Sequence, residues 1–379
     1  MTMTLPCSAV RWPAAAMFRR RVPPPWSGAG VFRRPLSGGT GRISQKTGTG
    51  GIMGHGFPGG LVGHARIPAL TSLEICAGAG GQALGLEQAG FAHEAVVELD
   101  ADACATLRCN RQWKVIEGDV ANVDGRAFAG VDLLAGGVPC PPFSIAGKRL
   151  GSDDERDLFP QALRLIEETG PRAVLLENVR GLGTSRFEGY RAQVLGRLRD
   201  LGFQTWWSLV HASDHRVPQL RPRFVLVAMR PPWASWFRWP QPHPARPPTV
   251  GEALGDLMAS RGWPGAAAWA RRATGIAPTI VGGSKKHGGP DLGPTRARAA
   301  WAQMGVNGLG IADEIPGPDF PADRPPKLTV AMVARLQGFP DDWTITGRKT
   351  AAYRQVGNAF PPPVARALGT AIAAALLTQ

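Results

Sequence analysis

The sequence has few cysteines and lacks the long apolar runs that mark membrane proteins. Its 379 residues include five cysteines, and because these form no CxxC pair, a disulfide scaffold and a standard zinc ribbon are excluded. The longest apolar run is seven residues, Ala371 to Leu377, whereas a membrane helix needs about 20. The composition, 44% hydrophobic, therefore predicts a cytoplasmic protein in a reducing compartment, long enough for two domains.

Acidic residues are absent from the first 66 positions, which carry nine lysines and arginines. This segment is rich in proline, glycine and arginine and has no apolar period, so we predict that residues 1–66 form a disordered basic extension. The remaining residues carry a net charge of only +5 out of the total of +14. Two interpretations stay open: a basic arm that adds non-specific affinity for nucleic acid, or an extension upstream of a second candidate start at Met53.

Strand and helix patterns alternate from residue 69 onward. Strands are predicted at 70–75, 95–99, 131–135, 173–179, 204–210 and 224–229, and helices at 82–89, 160–168, 190–201 and 361–377. This alternation predicts an α/β fold with a doubly wound, mostly parallel sheet. From position 231 the chain is rich in proline, glycine and tryptophan and shows little period. We therefore predict a catalytic and cofactor-binding domain at 67–230 plus 350–379, and a smaller loop-rich domain at 231–349.

The first predicted strand ends in a glycine-rich turn that suits a nucleotide cofactor. Gly78, Gly80 and Gly81 let the backbone approach a ligand where the next helix begins. Glu98, at the end of the second predicted strand, is placed to accept both ribose hydroxyls of an adenosine. Asp119 is placed to accept from an adenine amino group. The turn also fits the looser G-x-G-x-x-A dinucleotide pattern, so a nicotinamide enzyme stays possible at this point.

Three further motifs carry groups for covalent chemistry. Cys140 follows the third predicted strand, between prolines that stiffen the backbone around its thiol. Glu177 ends an otherwise apolar strand, where burial is expected to raise the pKa of its carboxyl. Arg221 and Arg223 alternate with apolar residues at the start of strand 224–229, so we expect them to share one face and to bind a carbonyl oxygen or a phosphate. A thiol, an acid and a cationic clamp suit attack on an electron-poor heteroaromatic ring.

These motifs occur in the order found in DNA cytosine C5-methyltransferases, and the chain resembles that family over about residues 70 to 379. The shared blocks are CAGAGG, GGVPCPPFS, ENV, QLRPR, RLQGFPDDW and YRQVGNAFPPPVA. The resemblance implies methyl transfer from S-adenosylmethionine to C5 of a flipped cytosine in a specific DNA sequence. An RNA methyltransferase stays open, because one branch of the family prefers transfer RNA. A nicotinamide oxidoreductase or a catalytically silent DNA-binding protein would leave these motifs unexplained.

The resemblance also gives each site residue a role. Cys140 corresponds to the nucleophile that attacks C6, and Glu177 to the residue that binds and protonates N3. Arg223 corresponds to the group that holds O2, with Arg221 beside it near the thiolate. The cofactor-binding positions implied are Gly78, Gly80, Gly81, Glu98, Leu99, Asp119 and Asn358. One departure is Cys76, which stands where the family usually has a phenylalanine that packs against the adenine.

The resemblance makes residues 231–349 the target-recognition domain and double-stranded DNA the partner. Ser144 to Asp157 is expected to be a mobile loop beside the nucleophile. Arginine and lysine favour guanine edges and phosphates, and the DNA-contact candidates are Ser144, Lys148, Arg149, Lys285, Lys286, Arg296 and Arg298. Glycines at 282, 283, 288 and 289 are expected to let the backbone approach the groove. The family also implies a monomer at the bacterial nucleoid, away from membranes, and leaves open a separate cognate restriction endonuclease.

Overall fold

The computed structural model describes residues 69–139, 157–283 and 289–378. The predicted basic extension, 1–66, lies outside these ranges. So does most of the predicted mobile loop, and so do the candidates Cys140, Ser144, Lys148, Arg149, Lys285 and Lys286. What we inferred for these residues from the sequence stays a prediction.

The central feature of the fold is a seven-stranded sheet. The strands in the described ranges are β1 Leu70–Ile75, β2 Phe91–Glu98, β3 Val115–Glu117, β4 Leu133–Gly137, β5 Ala173–Val179, β6 Gln204–His211, β7 Gln219–Leu220, β8 Pro222–Met229 and β9 Ala277–Pro278. The sheet has the order β3-β2-β1-β4-β5-β8-β6. Strands β1 to β5 pair in parallel, whereas β8 is antiparallel to both of its neighbours. The prediction of a mostly parallel α/β sheet is therefore confirmed.

Helices cover both faces of this sheet. In the described ranges they are α1 Gly81–Gln88, α2 Ala101–Asn110, α3 Phe159–Thr169, α4 Glu188–Asp200, α5 Val250–Ala259, α6 Ala266–Arg272, α7 Thr295–Gln303, α8 Val330–Leu336, α9 Lys349–Asn358 and α10 Pro362–Leu377. Apolar residues of α3 and α4 pack in one core cluster with the sheet, and those of α1 and α10 pack in a cluster on the other side. Because both faces are covered, β1, β4 and β5 are buried along nearly their whole length rather than at alternate residues.

The edge of the sheet where the parallel strands end positions the candidate site. After β1 the backbone turns sharply, with positive φ angles at Cys76, Gly78 and Gly80. After β2, the start of α2 is fixed by Asp100, whose side chain caps the helix by accepting from the backbone N–H groups of Asp102 and Ala103. The carboxyl ends of β1, β2, β4 and β5 therefore meet at one edge, where open α/β sheets place their ligands.

Beyond β8, helices α5 to α8 pack around a third core cluster that includes the fully buried Trp269 and Trp301. Apolar periodicity did not reveal these helices, which are seven to ten residues long and separated by loops. Local signals were present: Thr249 and Glu252 form a complete capping box at the start of α5. Ala79, from the first glycine turn, joins the same cluster, so the two parts share packing.

The run Lys349–Leu377 is long and apolar enough, by length and composition, to cross a membrane. It consists of two helices, α9 and α10, and 61% of its most apolar window is buried inside the protein. Leu368 and Ile372 of α10 are fully buried in the core cluster on the sheet. The packing is therefore that of a core helix.

Candidate active site

One cleft of about 340 Å³ lies at the carboxyl edge of the sheet. Gly78, Glu98, Leu99 and Asp119 line one side, and the end of α9 with Asn358 lines another. Glu177 of β5 lines the same cleft. We call this the cofactor cleft. It brings five of the predicted cofactor residues and the predicted acid into one cavity. Gly80 and Gly81 do not line it, and their Cβ positions face Leu107 and Phe360 instead.

Glu98 is held in place by backbone donors. One carboxylate oxygen accepts from the N–H of Gly78 at 2.7 Å, and the other accepts from the N–H groups of Leu99 and Asp100 at 2.9 and 2.8 Å. The side chain of Leu99 is 68% exposed, so an apolar surface stands ready beside this carboxylate. Fixed hydrogen-bond acceptors next to an exposed apolar surface suit a ribose and its attached base.

The glycine turn leaves no space for side chains on the protein side. A Cβ at Gly81 would lie 2.2 Å from the carbonyl oxygen of Phe360, and one at Gly80 would lie 2.7 Å from Leu107. The turn therefore packs tightly on the end of the chain while its other side lines the cleft. Beside it, burial raises the pKa of the Cys76 thiol to about 12, so this thiol stays protonated at neutral pH.

Glu177, which lines the cleft, forms a buried ion pair with Arg223. Arg223 Nε lies 2.7 Å from Glu177 Oε1, and the two side chains are 12% and 10% exposed. In the β5–β8 pairing Glu177 is opposite Val225, and Arg223 points to the same face because it is two residues from Val225. Burial raises the pKa of Glu177, and the nearby arginines offset this only in part. The site therefore combines a carboxyl able to hold a proton with an adjacent guanidinium.

The sequence is similar to a family of known proteins. The family model described as C-5 cytosine-specific DNA methylase matches residues 70–374. Type II methyltransferase M.NaeI of Lentzea aerocolonigenes is 61% identical over 313 residues, which cover 81% of this chain and 76% of that protein. Type II methyltransferase M.NgoMIV of Neisseria gonorrhoeae is 53% identical over 310 residues, covering 81% and 98%. The chain belongs to this family.

This C5 methylase is thus a DNA cytosine-5-methyltransferase of the restriction-modification type. The alternative of an RNA methyltransferase is not favoured, and neither an oxidoreductase nor a silent DNA-binding protein fits the family. The solved structure of DNMT2 from Spodoptera frugiperda superposes with a TM-score of 0.55 at 18% identity, covering 80% of this chain and 99% of that one. At that identity the likeness shows the fold. Members of the family use S-adenosylmethionine as the methyl donor.

Arg221 of the C5 methylase does not line the cleft as a catalytic group. Its side chain is fully buried, and it donates to the carbonyl oxygens of Ile280, Gly357 and Ala359 at 2.7 to 2.9 Å. Arg221 lies between β7 and β8, at the point where the chain passes from one sheet to the other. The two arginines make different contacts, because Arg223 pairs with Glu177 whereas Arg221 binds backbone carbonyls; that they share one face stays a prediction.

Arg296 and Arg298 both lie in α7, with Arg296 exposed and Arg298 half-buried. Residues two apart on a helix point to different sides, so the two arginines do not present one face. Their contact with DNA stays a prediction. A second expectation is corrected: Gly282 is buried and packs against α9, so its missing side chain serves this internal contact. Gly289 is exposed, and a Cβ there would meet nothing within 4 Å.

Glu74 and Gln82 are cleft residues that the motifs did not reveal. Both line the cofactor cleft, and they are 0% and 3% exposed. Within the described ranges, neither carboxylate oxygen of Glu74 has a hydrogen-bond partner, and the side-chain oxygen of Gln82 has none either. The sequence feature that could have revealed Glu74 was its position as an acidic residue inside the mainly apolar strand β1. Unpartnered buried acceptors beside a cleft fit a ligand with cationic or N–H groups, and S-adenosylmethionine has both an ammonium and a sulfonium.

We expect Glu74→Gln to stabilise the protein and weaken cofactor binding. Burial raises the pKa of Glu74 well above its ordinary value, so the folded state binds this proton more tightly than the unfolded state does. Stability is then present at low pH and lost as pH rises above the ordinary glutamate range. Removing the carboxyl should recover about 1–3 kcal/mol at pH 8. Urea unfolding at pH 6 and pH 8 measures this gain, and calorimetric titration with S-adenosylhomocysteine measures the loss of affinity.

Glu168→Gln is the matched control for Glu74→Gln, because the pKa of Glu168 is shifted in the opposite direction to that of Glu74. Hydrogen bonds from Arg164 hold the pKa of Glu168 below its ordinary value, so its contribution to stability is present at neutral pH and lost only on acidification. This control should lose stability equally at pH 6 and pH 8. An unfolding free energy for Glu74→Gln no higher than that of the wild type at pH 8 would contradict the assignment.

Proposed function

We propose that this chain methylates C5 of a cytosine flipped out of a specific double-stranded DNA sequence, with Cys140 as the nucleophile and S-adenosylmethionine in the cofactor cleft. The observation that carries the proposal is the pairing of Glu177, which lines the cavity that also contains Glu98, with the guanidinium of Arg223 at 2.7 Å. N3 and O2 are neighbouring atoms on the cytosine ring. An acid and a guanidinium in contact therefore match the ring edge that both must hold.

The proposed role of Cys140 rests on its place in the chain. Pro139, the preceding residue, lines the cofactor cleft. The carbonyl of Val138 accepts from the side chain of Asn178 at 2.7 Å, and Gly137 is the register partner of Glu177. The end of β4 is thereby tied to the end of β5, so the segment that leads into Cys140 starts beside the acid.

In the proposed reaction the sulfur of Cys140 bonds to C6 while Glu177 gives a proton to N3. Arg223 donates to O2 and stabilises the charge that collects there. The ring's electrons then make C5 nucleophilic. S-adenosylmethionine, when bound, supplies an electrophilic methyl group. Loss of the C5 proton to a base restores the C5–C6 double bond and breaks the sulfur–C6 bond, which frees the thiolate, and the N3 proton returns to Glu177.

The cofactor is proposed to bind through residues already in place. Glu98 accepts the ribose hydroxyls, Leu99 packs on the adenine, and Asp119 accepts from its amino group. The glycine turn at 78–81 and Asn358 face the methionine part, and Glu74 offers its unpartnered carboxyl there. At the position of Cys76 a thiol replaces the usual aromatic ring, so we expect Leu99 to supply most of the apolar contact.

The surroundings of the enzyme are also proposed. We infer that it acts as a monomer in the bacterial cytoplasm, on chromosomal DNA at the nucleoid. The names of its relatives support a place beside a separate restriction endonuclease that reads the same sequence. Light scattering on the purified chain tests the monomer, and a dimer mass would overturn it.

Bisulfite sequencing of host DNA, with and without expression of this chain, tests the function. We expect 5-methylcytosine in one sequence context, complete at most copies of that site, and only in the expressing cells. Bisulfite sequencing of transfer RNA from the same cells is the matched comparison. Methylation confined to the RNA, or absent from both, would contradict the proposal.

A further inference from the structure

The segment of residues 279–283, which follows from β9, packs directly on the end of α9. We call it the recognition segment, because it opens the stretch proposed to read DNA. A Cβ at Gly282 would lie 2.4 Å from the carbonyl oxygen of Arg354 and 2.6 Å from Asn358 Oδ1. A Cβ at Gly357 would lie 2.4 Å from the backbone nitrogen of Gly282. Backbone meets backbone at this contact, and no side chain fits on either side.

The other partner in this contact is a wall of the cofactor cleft. Arg354, Gln355, Asn358 and Ala359 all line the cleft, and we call residues 354–359 the cofactor wall. The side-chain amide of Asn358 donates to the carbonyl of Gly283 at 3.2 Å. The orientation of a residue proposed to face the cofactor is therefore set partly by the recognition segment, none of whose residues lines the cleft.

Buried polar side chains fasten the two segments together. The guanidinium of Arg221 donates to Ile280 in the recognition segment and to Gly357 and Ala359 in the cofactor wall. Gln337 donates through its amide to the carbonyls of Val356 and Ala359 at 3.1 and 2.7 Å. It is joined in turn to Gln219, whose side-chain oxygen accepts from the N–H of Ile280 at 2.9 Å. Each bond is desolvated, so displacing one segment leaves groups of the other unpaired.

We propose that Gly282, Gly357, Arg221 and Gln337 are positioning residues that hold the recognition segment and the cofactor wall as one unit. The shape of the cofactor cleft then depends on a glycine of the DNA-reading part, and the position of the recognition segment depends on a glycine of the cofactor wall. This inference rests on the proposed function, which assigns DNA to one segment and S-adenosylmethionine to the other. It goes further by predicting crossed effects on the two ligands.

Gly282→Ala and Gly357→Ala test the crossed effects. Gly282→Ala should raise the Kd for S-adenosylhomocysteine about 5- to 50-fold, measured by calorimetry without DNA. Gly357→Ala should raise the Kd for a fluorescent duplex carrying the methylated site by a similar factor, measured by anisotropy. Because both changes separate the same two segments, the binding free energy lost in the double variant should be smaller than the sum of the losses in the two single variants. Gly189→Ala, at an exposed position of α4 where an added Cβ would meet nothing within 4 Å, should match the wild type for both ligands.

Hydrogen exchange on the wild-type protein gives a second test that needs no variant. S-adenosylhomocysteine should slow exchange at the amides of residues 280–283 as well as at those of the cofactor wall. Wild-type affinity of Gly282→Ala for S-adenosylhomocysteine, or unchanged exchange at 280–283, would overturn the inference. If the wild type does not bind S-adenosylhomocysteine, the proposed function fails instead, so the two failures are distinguishable.

Discussion

Cys140→Ala is expected to abolish methyl transfer and the covalent complex with DNA. Without the sulfur no bond forms at C6, and C5 of cytosine is too weak a nucleophile to take the methyl group. We expect the rate to fall by at least about 10⁴-fold, as when other enzymes lose their nucleophile. Transfer of a labelled methyl group measures the rate. A duplex carrying 5-fluorocytosine measures the adduct, because fluorine at C5 does not leave as a proton does and the complex persists on a denaturing gel.

The thiol of Cys76, which lines the cleft, provides the control for Cys140. The pKa of Cys76, raised by burial to about 12, leaves almost no thiolate at neutral pH, and the thiolate is the attacking form. Cys76→Ser is therefore expected to keep the 5-fluorocytosine adduct, even where weaker cofactor binding slows its formation. An adduct that survives in Cys140→Ala and disappears in Cys76→Ser would refute the assignment of the nucleophile.

Glu177→Gln is expected to lower kcat by about 10²- to 10⁴-fold, the range for a positioned general acid. An amide keeps a hydrogen bond to the ring but has no proton to give to N3, so the negative charge on the ring is not neutralised. KM for DNA should change much less than kcat, because the shape of the pocket is retained. Single-turnover methyl transfer at saturating cofactor separates the two effects.

The pH dependence of kcat tests whether the protonated form of Glu177 is the active form. Burial raises the pKa of Glu177, so the protonated, active form persists above the ordinary glutamate range. The wild-type rate should then fall as pH rises through this raised pKa, while Glu177→Gln should show no such fall. Glu74→Gln, which removes the other buried carboxyl of the cleft, should keep the fall and raise KM for the cofactor. A rate fall that follows Glu74 instead of Glu177 would contradict our assignment of the acid.

The strands of the catalytic sheet were predictable because their signals are local. The observed bounds of β1 and β5, Leu70–Ile75 and Ala173–Val179, are those that the apolar runs predicted. Glycine ends the first run, and Glu177 falls within the end of the second. Short elements with weak patterns were not predicted. Among them are β3, which has three residues, and α2, which begins at a side-chain cap but has no apolar stripe.

Burial and contacts between distant segments were not predictable from local pattern. The sequence predicted a ligand-binding role for Arg221, but nothing local indicated that its guanidinium donates to the carbonyls of Ile280 and Gly357. Gly282 was expected at the DNA groove, but it meets α9, more than 70 positions along the chain. Glu74 gave only the signal of an acid in an apolar strand. Whether such an acid is paired depends on side chains that the strand itself does not contain.

The sequence by itself predicted the chemistry of this enzyme, because a thiol after one recognisable strand, an acid at the end of another and an arginine at the start of a third occur in a fixed order. It also determined the parallel sheet, since apolar runs and glycine turns act over a few residues. Only the tertiary structure decided which polar groups face the cleft and which fasten the recognition segment to the cofactor wall. Those outcomes depend on desolvation and on hydrogen bonds between segments far apart in the chain, and both are properties of the packed molecule.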